Sequence, residues 1–196
     1  MGDRMSSLKV HTLEALSPDG IITVPKGHTI IQSGVPIQTI YKRSDIMKLY
    51  TALTSGNGVS ISELGLSITP KKKDSLILLT WMINCELHHD AVFLVHQDGT
   101  LITIPGYEGY NNVAGNIRWS GIVSSHYDYD QASTPETIFI QYAVPAMTTT
   151  PRTYTPAIRA SAGTAYTFAL NRCLNSSGSY YIENTISTGM AMEIFQ

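Results

Sequence analysis

Charge is what this chain of 196 residues has least of: Asp, Glu, Lys and Arg together make up 14%, against roughly 25% in ordinary soluble domains. So few charges on a water-facing chain lead us to expect that other subunits cover much of its surface. The formal net charge of −2 excludes an electrostatic case for nucleic acid, because counterion release needs clustered Lys and Arg. The one basic run, Lys71-Lys72-Lys73, stands between Pro70 and Asp74 and reads as a solvated turn. Cysteine is scarce too. Cys85 and Cys173 have no metal or redox spacing, and each lies in an apolar run where a free thiol behaves as a small buried hydrophobe. No apolar run reaches the ~18–20 residues that span a bilayer, and the N-terminus shows no signal-peptide core. The expectation is a chain made in the cytoplasm without membrane insertion.

Helical periodicity is nearly missing as well. Only Asp45–Leu53 places apolar residues, Ile46, Leu49, Tyr50 and Leu53, at helix-like spacing. Its neighbours are β-like throughout, so an outer strand is the preferred reading.

What is present points to strands and turns: eleven Tyr and fifteen Gly, with abundant Thr and Ser. Leu76–Cys85 is an unbroken apolar run, as expected of a strand buried on both faces or of a seam strand in an oligomer. Ala91–Val95 and Thr100–Ile104 flank Asp98-Gly99, a hairpin signal because Gly supplies the positive φ of the tight turn. Thr137–Val144 is a further strand, stopped by Pro145. Ser161–Thr164 is expected to close a second hairpin between Tyr154–Ala160 and Ala165–Asn171. The stretch His126–Val144, the segment Ile158–Arg172 and the final Ser187–Ile194 are expected to share one sandwich.

Residues 1–34 read differently. Gly20–Pro25 and Gly27–Ile31 are short extended pieces that cannot bury their apolar sides alone. They form the expected N-terminal arm or neck, with a boundary at Gly34-Val35-Pro36 and a head over 35–196. The apolar residues of the arm, Leu8, Val10, Ile21, Val24, Ile30 and Ile31, are the docking candidates.

These motifs, in this order, resemble the C-terminal domains of phage tail-fibre and related virion proteins of the marine and cyanobacterial type. The resemblance rests on Leu8-Lys9-Val10 followed by Val24–Thr29, on Ile61–Pro70 (ISELGLSITP) followed by Ser75–Leu79, on Asp98-Gly99-Thr100, on Ala160–Tyr166 (ASAGTAY) and on Met192-Glu193-Ile194. It implies a jelly-roll-like antiparallel β-sandwich similar to the tumour-necrosis-factor and complement-C1q heads, assembled as a homotrimer. It also implies a virion protein made in the host cytoplasm, with other tail or capsid proteins as partners. A short tail fibre or fibre tip that touches the host surface, with a polysaccharide as target, is the leading expectation. A capsid cement or decoration protein held by its N-terminal arm is the alternative, favoured by the brevity of that arm. A free carbohydrate-binding module is the third class. The segments Tyr107–Asn116 and Ala146–Thr155, together with His88-His89, depart from the family pattern.

Binding candidates follow from residue chemistry. His126–Asp130 alternates acids and aromatics, and aromatic rings stack on sugar faces while carboxylates accept hydroxyl hydrogen bonds. Tyr127, Asp128, Tyr129 and Asp130, with Tyr107, Tyr110 and Trp119 of a Gly/Asn-rich loop, are therefore the candidate receptor or glycan contacts. Core or subunit packing explains the same tyrosines more simply. His88 and His89, with Asp90, Asp128 and Asp130, are the only metal-ligand grouping. Adjacent residues on a strand point to opposite faces, so metal binding there would need a turn. No catalytic residues and no cofactor are expected: the acids lack a framing motif, and no phosphate loop or Ser-His-Asp pattern occurs.

Overall fold

A computed structural model describes residues 33–52, 57–102, 121–125, 134–161, 164–175 and 183–196. The chain divides into two units, Met1–Gln32 and Ser33–Gln196, and everything below concerns the second. It is an all-β antiparallel sandwich; the only helical element among the described residues is one 3-10 turn at Ser62–Leu64.

Among the described residues, twelve strands occupy eight positions in two sheets. In the first sheet β5 (Leu76–Leu87) is central. One edge of it pairs with β9 (Glu136–Pro145) from Leu76 to Cys85. The other edge pairs first with β12 (Ser187–Ile194), up to Met82, and then with β11 (Tyr166–Leu170) from Cys85. Outside these run β1 (Pro36–Ser44) against β12 and β2 (Lys48–Ala52) against β11. In the second sheet β10 (Arg152–Ala160) is central. It pairs with β6 (Ala91–Gln97) on one side, and with β3 (Val59–Ser60) and β4 (Leu66–Ile68) on the other. Beyond β6 lie β7 (Thr100–Leu101) and β8 (Val123–Ser125). With each interrupted strand read as one position, the sheets run 1-8-3-6 and 2-7-4-5, the winding of a jelly roll.

The core lies between the sheets. Period-two alternation sends Ile77, Leu79, Trp81 and Ile83 of β5 inward to meet Phe93, Tyr154, Ile158 and Phe168, all fully buried. Each such side chain contributes about 1.5–3 kcal/mol. Trp81 Nε1 donates to the Leu64 carbonyl at 2.9 Å, tying the two sheets together through a buried polar tip. Its indole lies over Gly189, where an added Cβ would come within 2.7 Å of Trp81 Cδ1. That close approach is why β12 carries a glycine opposite the tryptophan.

Asp98 (φ 52°) and Gly99 (φ 80°) make the expected two-residue hairpin between β6 and β7. Of the stretch Asp45–Leu53, Lys48–Ala52 form a strand, β2, on the sheet edge. Two expectations need correction. Ser161–Thr164 does not close a hairpin: β10 belongs to the second sheet and β11 to the first. Both edges of each strand are occupied by other partners, so this connection is an arch across the sandwich. Leu76–Cys85 is not buried on both faces within the chain. It alternates buried residues with partly exposed ones, ending in Met82 at 38% exposure.

The two ends of the head are distinct. At one end sit Gly34, whose amide donates to Phe195 O, the loop 69–75, the Asp98-Gly99 turn and the loop 146–151. At the other end sit Ala52, His88–Asp90 and Ser161, whereas residues 45–47 and Asn171 lie level with Asn84, at the breaks inside their strand positions.

Candidate self-association face

The outward face of the first sheet follows from its register. Three rows of side chains cross four strands: Thr39, Met192, Leu78 and Ala143; Tyr41, Met190, Thr80 and Gln141; Arg43, Thr188, Met82 and Phe139. Tyr41 is 65% exposed and Phe139 56%. Leu49, nearly half exposed, continues the face on β2. Arg43 is the only charged residue in the three rows, and it stands at the rim, 3.6 Å from Asp45.

An antiparallel sheet that meets water on one face normally alternates apolar-in with polar-out. Here the outward positions of the central strand are Leu78, Thr80 and Met82, with Met190 and Met192 beside them. Exposed Met, Tyr and Phe without charge are the composition of an interface centre, and flexible Met side chains adapt to a facing surface.

The second sheet is different. Its outward residues Val92, Leu94, Ala157 and Arg159 are already buried. Gly58 comes close enough that a Cβ would sit 2.8 Å from Ile158 O and 3.1 Å from Leu94 Cδ1, and Gly121 lies as near to Val92. The uncovered apolar face therefore belongs to the first sheet.

On the covered face, His96 is buried with both ring nitrogens engaged. Nδ1 lies 2.6 Å from Ser60 Oγ, and Nε2 lies 2.7 Å from Asn57 O. A carbonyl can only accept, so Nε2 carries the proton and Ser60 donates to Nδ1. Nothing in the sequence marks this pair, because residues 60 and 96 meet only through β10. His88 and His89 lie on a bend after β5, and both rings stack on Tyr166, with centroids 5.1 and 4.6 Å away. The bend supplies the turn that the pair would need to face one way. Among the described residues, however, no three His, Cys, Asp or Glu side chains gather as metal ligands.

The remaining acids near the face have structural partners. Glu86 is fully buried and accepts from Thr134 N and Oγ1, both at 2.9 Å, and from Leu174 N. Glu193, also buried, accepts from Lys71 N, Lys72 N, Ser75 Oγ and Gln38 Nε2 at 2.6–3.0 Å. Burial pushes its carboxyl up, but these four donors outweigh burial and hold it below the ordinary value. Burial raises both thiols, Cys85 well above the usual range, with Glu136 and Glu86 adding to the effect there.

The candidate glycan contacts Tyr107, Tyr110, Trp119, Tyr127, Asp128, Tyr129 and Asp130 lie outside the described residues, as do the docking candidates Leu8, Val10, Ile21, Val24, Ile30 and Ile31. Their anchors are placed. Residues 103–120 depart between β7 and β8, two halves of one strand position on the edge of the second sheet. Residues 126–133 depart between Ser125, paired with Ala91, and Glu136, paired with Cys85, at the end of the head opposite Gly34. Compared with protein-family models and with curated proteins, the chain matches none.

Proposed function

We propose that the chain is a homotrimeric virion structural protein of the phage appendage type, whose heads pack through the outward face of the first sheet. The observation that carries this reading is that face: three rows of Met, Leu, Ala, Phe, Tyr, Thr and one Gln, with one charge at the rim. It accounts for the low charge content, and the jelly-roll strand order agrees with the resemblance drawn from the sequence motifs. A cyclic trimer buries one copy of such a face per subunit around its axis. Its work is binding rather than catalysis. The N-terminal arm attaches the head to its particle, and the segments around Tyr107–Trp119 and Tyr127–Asp130 meet the host surface, with a polysaccharide as target.

Size-exclusion chromatography with light scattering tests the assembly: three chain masses at micromolar concentration is the expected result, and a clean monomer sinks it. Immunogold labelling of intact particles tests the location. Label at the tail tip is expected. Even label over the shell would reassign the chain as a decoration protein, and no label on particles would leave the free carbohydrate-binding module.

A further inference from the structure

We propose that the end of the head where the chain joins it is a docking surface for an acidic protein partner, built on Lys71, Lys72, Lys73 and Met147. The direction of docking rests on the proposed function, in which the arm leads to the particle.

Two crossover loops form this end. Residues 69–75 pass from the second sheet to the first, and residues 146–151 pass back. They run side by side, because Ala146 N donates to Ser75 O at 2.9 Å while Ile68 pairs with Arg152. The lysine loop is held from beneath. The amides of Lys71 and Lys72 turn inward to the buried Glu193 carboxylate at 2.8 and 3.0 Å, and Ser75 Oγ joins them at 2.7 Å. The three lysines are exposed, and among the described residues none of them forms an ion pair. The carboxylates nearby are occupied: Glu193 by this loop, and Asp98 by Arg152 Nη1 at 2.7 Å and Thr153 N at 2.8 Å. Only Asp74 opposes the three ammoniums from within the loop.

Met147 supplies the second half of the surface. It is 76% exposed and sits at φ 59°, a left-handed backbone that a long unbranched residue rarely adopts. The next turn is tied by Thr150 N to Thr148 Oγ1 at 3.1 Å. Strain of this sort, spent on holding an apolar side chain in water, belongs to surfaces that bind. The chain joins the head at this same end, beside the lysine loop: Gly34 N donates to Phe195 O at 2.7 Å, and Gln38 Nε2 to Thr69 O at 2.7 Å. Three point charges beside one thioether suit a protein surface that mixes carboxylates with an apolar pocket. A nucleic acid or sulfated glycan calls for a longer basic track than three lysines.

The test uses the full chain and two synthetic peptides of equal charge, one of Glu with interspersed Leu and one of Glu with interspersed Ser. Fluorescence polarisation should show both binding at low salt, with the Leu peptide tighter. Replacing all three lysines by Ser (K71S/K72S/K73S) should weaken both about ten-fold. Met147→Asn, which keeps a residue tolerant of the left-handed backbone, should weaken the Leu peptide alone. Indifference to both peptides, or binding untouched by the lysine replacement, overturns the proposal. Tighter binding to heparin or to phosphatidylglycerol vesicles overturns it as well and assigns the lysines to a polyanion. A trimer that ignores the peptides sinks this surface and leaves the proposed function standing, whereas a monomer with lysine-dependent binding does the reverse.

Discussion

Ser187 donates its hydroxyl proton to Asn171 Oδ1 at 2.6 Å, and this bond closes a junction where five strands, β1, β2, β5, β11 and β12, come together. Asn171 Nδ2 donates to the carbonyls of Ser44 and Ile46 at 2.9 and 3.0 Å, bridging the break between β1 and β2. Its amide donates to Asn84 O, and Asn84 N donates to Ser187 Oγ. Asn171 is fully buried at φ 56°, a conformation that Asn tolerates better than other side chains. Asn171→Ala removes three bonds and keeps the unfavourable backbone. We expect a loss of about 2–4 kcal/mol, read as a lower urea midpoint at unchanged slope.

Gly189→Ala places a methyl group against the Trp81 ring. The expected cost is about 1–3 kcal/mol from overpacking. Differential scanning fluorimetry should show the lower melting temperature, and Trp81→Phe in the same chain should recover part of the loss that Gly189→Ala adds.

Met82 and Phe139 are cross-strand partners on the uncovered face. Met82→Glu with Phe139→Glu puts two charges per subunit where a neighbour would pack. The expected outcome is a monomer by light scattering whose circular dichroism is unchanged, since neither side chain enters the core. A trimer of undiminished mass would place the contact elsewhere.

Glu193 has its carboxyl held below the ordinary value, so its contribution to stability is complete above that ordinary value, near ~4.3. The contribution fades as pH falls through the lowered folded-state value. Glu193→Gln should therefore be less stable than the parent at neutral pH, by about 1–3 kcal/mol, with the gap closing in acid. Asp98, lowered first by Thr153 N and further by Arg152, against burial that raises it, follows the same direction. Urea titrations from pH 7 to pH 3, numbers chosen to bracket a carboxylate near ~4, would check both.

Cys85 and Cys173 are buried, and burial pushes both thiols up. The thiolate is the reactive form. An aromatic disulfide reagent should leave both untouched in the native protein and modify both in denaturant. Fast native labelling at either position would contradict the buried placement.

How much of this was legible can be judged residue by residue. The alternating burial of β5 did not show in its run of apolar residues. The run itself marked β5, a Pro-terminated run marked β9, and Asp98-Gly99 marked the hairpin, because those signals are local. The arch at Ser161–Thr164 was misread as a hairpin for the same reason. Two strands joined by a short Gly-bearing turn look alike in sequence whether they pair or part, and only the competing partners of β10 and β11 decide. The Ser60–His96 pair and the Asn171 junction left no trace, because their members lie far apart in the chain and are joined by strands between them. For the outward face, Met190, Met192 and Leu78 were visible as apolar residues. Their common side emerges only when β12 and β5 are placed in register.

The sequence by itself determined that the chain is all-β and that its cysteines are core thiols. These are properties of composition and of neighbours along the chain. The tertiary structure alone decided which sheet keeps its apolar face uncovered, that Lys71–Lys73 share one end with Met147, and that Glu193 lies beneath them. Such relations are set by strand order, where contacts between residues over a hundred positions apart cost chain entropy and form only once the whole sandwich closes.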